Sequence, residues 1–163
     1  MSGLYLFDAN VFIDAWQEYY AIDIAPGFWI QLLDKAPGKI VVIESIEKEI
    51  LKGGDALSEW YKEHKSAFVT FTIPTSDVLQ AYKVIINSIA KNDQYNELAK
   101  SKYADCADSW LCAYGKAHSA TIVTHEKYAK NIKRQVKIPN VCKEFGIKYI
   151  RLDQFMREVS IVL

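Results

Sequence analysis

"LYLFDANVFID", Leu4 to Asp14, interrupts an apolar run with a carboxylate at Asp8, a small residue at Ala9 and an amide at Asn10 before apolar character resumes. Burying an unpaired carboxylate costs several kcal/mol unless a cation or a set of hydrogen bonds compensates. Asp8 therefore either ends a strand or holds a cation. The preceding "LYLF" reads as a short strand, and comparable runs recur as "KIVVI" (39–43), "FVTFTI" (68–73), "ATIVT" (120–124) and "IKYIRL" (147–152). Segments with helical spacing separate them, among them 77–91 and 103–118. Pro26-Gly27, Pro37-Gly38, Gly53-Gly54, Pro74 and Pro139 fall between the periodic segments. Strands alternating with helices predict an α/β protein: a three-layer α/β/α fold with a central parallel sheet.

The chain has 163 residues, half of them apolar and a quarter charged, which is the size and composition of one globular domain over 1–163. No apolar stretch approaches the length of a membrane span and the N-terminus has no signal-peptide pattern, so the expected location is cytoplasmic, with no membrane partner. Cys106, Cys112 and Cys142 lack CxxC spacing and suggest neither a disulfide framework nor a zinc site. Twenty basic and twenty acidic side chains cancel, which argues against a protein that coats nucleic acid non-specifically. Positive charge nevertheless concentrates in "KYAKNIKRQVK" (127–137), a run that contains no acid.

In open α/β sheets, ligands bind beyond the carboxyl ends of the strands. Asp8 follows the first strand directly, and Glu126 lies two residues past the strand end at Thr124. "YADCADSWLCAYGKA" adds Asp105 and Asp108, three residues apart, which on a helix places both carboxylates on one face. Capping of a helix N-terminus accounts for Asp105 by itself. It does not account for Asp108, inside the helix beside Trp110 and Leu111.

These residues resemble the PIN-domain nucleases, and within them a divergent branch of the VapC-like toxins. Members of that family open with a strand ending in Asp, a small residue and Asn, Thr or Ser, as in "LFDANVFID". They also carry an Asp that opens a helix and, after the next strand, another acid, as in "DSWLCAYGKAHSATIVTHE" from Asp108 to Glu126. The family's remaining acid lies in the helix after the second strand. "IVVIESIEKEILKGG" offers Glu44, Glu47 and Glu49; Glu49 borders the stripe marked by Ile46 and Ile50 and is the expected residue, with Glu47 in reserve. The chain departs from the family pattern in having Glu126 where Asp is commoner, in the additional Asp105, and in the sequence after the last acid.

The resemblance implies a metal-dependent endoribonuclease with Asp8, Glu49, Asp108 and Glu126 as catalytic and metal-binding acids, and Asp105 as a supporting ligand. Four oxygen-only donors suit Mg2+ or Mn2+ and disfavour zinc. Asn10 and Thr124 would position a ligand or a phosphate oxygen, and Lys130, Lys133 and Arg134 would hold the RNA backbone at the rim. The family also implies a cognate antitoxin as partner and a tendency to form homodimers. Trp16, Tyr19, Tyr20, Phe28 and Trp29 suit base stacking or, better, a core or partner interface. His125 adjoins Glu126 but is given no ligand role. The alternatives are a ribosomal-RNA-processing nuclease, a non-catalytic PIN-like module binding RNA or protein, and a phosphohydrolase using Asp8 and Asp14. The last lacks the second Asp its scheme needs, since Asn10 stands there.

Overall fold

In the computed structural model, which describes residues 3–163, the five apolar runs are strands: β1 (Tyr5–Phe7), β2 (Ile40–Ile43), β3 (Val69–Phe71), β4 (Thr121–Val123) and β5 (Tyr149–Ile150). They form one sheet in the order β3-β2-β1-β4-β5, and every pairing is parallel. All four residues of β2 are buried, as expected for a strand covered on both faces.

The helices are α1 (Ala9–Asp14), α2 (Pro26–Lys35), α3 (Glu44–Lys52), α4 (Ala56–His64), α5 (Ser76–Lys91), α6 (Glu97–Ala104), α7 (Ala107–His118), α8 (Ile138–Phe145) and α9 (Leu152–Glu158), with a π-helical turn, Ala15–Tyr19, after α1. Side-chain alternation along β1 assigns them to layers. Leu6 pairs in register with Ile122, and Gly115 of α7 packs so closely on Ile122 and Ile147 that an added Cβ would stand 3.1 Å from each. Tyr5 and Phe7 point to the opposite face. There Phe155 of α9 meets both rings edge-on at 4.9 Å, and Phe12 of α1 packs on Phe7 at 5.3 Å. Helices α5, α7 and α8 pack together on the first face, and α3 touches both α1 and α7. The architecture is thus α/β/α around a parallel sheet.

Most of the early aromatic residues are core. Phe28 and Trp29 are buried, and Trp16 packs against Trp29 and Trp60. Tyr20 stacks on Phe28, while Tyr19 is exposed. No helix among the described residues is long and apolar enough to cross a membrane.

The expected continuous helix over 103–118 is two helices. α6 stops at Ala104, and the backbone extends at Cys106 (φ −101°, ψ 165°) before α7 begins. Ala99, Tyr103, Ala107 and Leu111 are all buried at four-residue spacing, so the apolar periodicity runs unbroken across a real break. Asp105 consequently ends α6 and caps no helix N-terminus, and Asp105 and Asp108 do not share a helix face.

Candidate functional site

Because β1 and β4 are neighbours at the centre of the sheet, residues distant in sequence meet where both strands end. The Asp8 amide donates to the Val123 carbonyl (3.0 Å), and Thr124 Oγ1 donates to Asp8 Oδ2 (3.0 Å). The same hydroxyl accepts from the Glu126 amide (3.1 Å). Thr124 is buried, and through these two bonds it links the Asp8 carboxylate to the Glu126 backbone. Asp8 occupies the N-cap position of α1 without forming a cap bond, although the nearby Asn10 amide favours its ionised form. Asn10 itself is exposed.

Asp108 lies in the first turn of α7 and faces the same region. Its pKa is pushed up from 3.8 to about 8, first by burial and then by the negative charges of Asp8, Glu126 and Glu49. Asp8 is raised from 3.8 to about 7, again mainly by burial, then by Glu126; the Thr124 and Asn10 hydrogen bonds oppose the rise and Glu49 adds to it. Burial also raises Glu49, against the pull of Lys52, and Glu126, against the Ile138 amide and Lys137. The four acids thus share one electrostatic neighbourhood at the carboxyl edge of the sheet. Among the described residues, no three His, Cys, Asp or Glu side chains form a group that could hold a metal ion.

The competing glutamates are engaged elsewhere. Glu47 accepts from the Tyr61 hydroxyl (2.8 Å) and faces Lys65 (3.5 Å), and Glu44 pairs with Lys48 (3.2 Å). Glu49 is the member of α3 whose charge acts on both Asp8 and Asp108. Glu126 has a second attachment, with Oε1 accepting from the Ile138 amide (3.0 Å) at the start of α8. That bond fills one of the orphan donors of the helix N-terminus and fixes the glutamate against the sheet edge.

Asp105 is not brought into the group. It is exposed, and its charge acts on Tyr82, whose hydroxyl donates to the Ala104 carbonyl (2.9 Å). The basic run lies in the loop between β4 and α8, with Lys130, Lys133 and Arg134 exposed. The loop backbone is anchored: the Asn96 amide donates to the Lys133 carbonyl (2.9 Å) and Gln94 Nε2 to that of Ile132 (2.8 Å). Arg134 and Asp108 line one cavity of about 360 Å³ together with Lys102. Lys102 reaches this cavity through the docking of α6 against the loop, a placement the sequence pattern does not encode. His125 turns away from Glu126 and pairs through Nδ1 with Asp14 Oδ2 (2.8 Å), a contact between residues too far apart for any spacing rule to reveal.

The chain belongs to the DUF4411 family, described as "Domain of unknown function", whose profile matches residues 5–163. Among solved structures it is similar to the crystal structure of VapBC2 from Rickettsia felis bound to a DNA fragment from their promoter, with 13% sequence identity, 91% of this chain and 98% of that chain covered, and a TM-score of 0.49. No curated protein matches the sequence.

Proposed function

We propose that this protein is a PIN-type endoribonuclease dependent on Mg2+ or Mn2+, hydrolysing RNA phosphodiester bonds in the cytoplasm as the toxin of a toxin–antitoxin pair. The observation that carries the reading is the joining of Asp8 and Glu126 through the Thr124 hydroxyl past the ends of adjacent strands β1 and β4, where the charges of Asp8, Glu126 and Glu49 all act on Asp108. The donor set fits the proposed cation: it is all carboxylate oxygen, and its two aspartates resist ionisation where they stand, a strain a divalent cation relieves. Asp8 and Asp108 would hold the metal most directly, with Glu49 and Glu126 as outer ligands. When bound, the metal would make water available as a nucleophile near neutral pH and offset charge developing on the phosphate.

The chain's own groups supply the rest. Thr124 orients Asp8, and the Ile138 amide steadies Glu126. Lys130, Lys133 and Arg134 grip the phosphate backbone beside the acids, and exposed Asn10 hydrogen-bonds substrate at the cleft mouth. The antitoxin and the homodimer follow from the sequence resemblance to PIN toxins.

Thermal denaturation tests the metal site. Millimolar manganese should raise the melting temperature of the wild type, because binding to the folded state alone adds RT ln(1 + [L]/Kd), about 2.7 kcal/mol at a hundredfold excess over Kd. Asp108→Asn should lose most of that gain. An unchanged melting temperature in the wild type, or an equal shift in the variant, overturns the site.

A further inference from the structure

The cavity that Asp108 lines also carries two basic side chains on its other walls. Lys102 and Arg134 line it, both exposed and neither in an ion pair among the described residues. Ala99 and Val136 give it an apolar wall, and Gln135 adds an exposed amide. Its volume of about 360 Å³ lies at the small end of ligand pockets, which run from roughly 300 to 1,000 Å³. Two unpaired cations suit a phosphate group. An apolar wall with one adjacent amide suits a flat heterocycle read along its polar edge, as in recognition of unpaired RNA bases. The loop wall is held to the start of α6 by the Asn96 and Gln94 hydrogen bonds, so the cavity is built before any ligand arrives.

We propose that this cavity is a nucleotide subsite. Lys102 and Arg134 hold the phosphate of one RNA nucleotide, Ala99 and Val136 flank its base, and the Gln135 amide reads the base edge. Its location beside the scissile bond rests on the ribonuclease reading, through the shared residue Asp108. The subsite makes the protein selective for the base next to the cut, a property that a basic rim alone does not confer.

Calorimetric titration with the 5′-monophosphates of adenosine, cytidine, guanosine and uridine, with magnesium and with EDTA, tests the subsite without requiring turnover. At least one nucleotide should bind at least about tenfold more tightly than inorganic phosphate or its own nucleoside, and Lys102→Ala/Arg134→Ala should weaken it about tenfold. Gln135→Ala should level the preference among the four. All three side chains are exposed, and circular dichroism verifies the fold of each variant. Absence of binding by all four, equal binding of inorganic phosphate, or binding indifferent to the double substitution overturns the subsite. RNA cleavage without nucleotide binding overturns the subsite alone, whereas nucleotide binding through these residues without RNA cleavage overturns the ribonuclease reading and leaves the subsite standing.

Discussion

Thr124 Oγ1 donates to Asp8 Oδ2 at 3.0 Å across 116 residues of sequence, joining the ends of two adjacent central strands. The bond is buried and it opposes the rise in the Asp8 pKa. Thr124→Val keeps the shape and removes the donor, which should destabilise the metal-free protein by about 1–3 kcal/mol in urea denaturation. It should also raise the Asp8 pKa further and reduce stabilisation by manganese at pH 7. Thr124→Ser should preserve both properties. Wild-type stability and metal response in Thr124→Val would refute the positioning role.

The elevated pKa values of Asp8 and Asp108 give the metal-free protein a defined pH response. Their folded-state values, about 7 and about 8, lie above the usual 3.8. The folded state therefore binds protons that the unfolded chain has released, and the stability these groups contribute is complete below about pH 4 and lost as pH rises through 7 to 8. In EDTA the wild type should lose stability from about pH 4 to about pH 8, and level off above that, relative to Asp8→Asn/Asp108→Asn, whose amides do not titrate. Metal requires the ionised carboxylates, so stabilisation by magnesium should grow over the same interval. Parallel pH profiles for the two proteins would contradict the assignment.

The strands were readable because buried parallel strands are short continuous apolar runs, and each of the five lies within its expected segment. The positions of Asp8 and Glu126 relative to the sheet edge followed from where two such runs end. The helical phase of α3 relative to Ile46 and Ile50 distinguished Glu49 from Glu47, which instead serves Tyr61. The break between α6 and α7 was hidden because apolar spacing continued through it, and this misplaced Asp105. The Thr124 bond to Asp8, the Glu126 attachment to α8 and the closing of one cavity by Lys102 and Arg134 depend on tertiary packing that no local pattern encodes.

The basic loop should act on binding strength and not on the chemical step. Replacing Lys130, Lys133 and Arg134 with alanine should weaken RNA binding measured in EDTA and flatten its dependence on salt. Each lost phosphate contact should reduce the logarithmic slope by about 0.7–0.9. Filter binding across a salt series measures this, and a slope equal to that of the wild type would make the three side chains ordinary solvated surface.

Cleavage of a structured RNA in manganese, comparing the wild type with Asp8→Asn, bears most directly on the account. The amide is nearly isosteric with the carboxylate and can still accept from Thr124, but it offers no anionic ligand, so circular dichroism should show an intact fold. The account predicts that the wild type cleaves with manganese and not with EDTA, and that Asp8→Asn does not cleave under either condition. Manganese-dependent cleavage at the wild-type rate by Asp8→Asn, or no cleavage by the folded wild type, would contradict it.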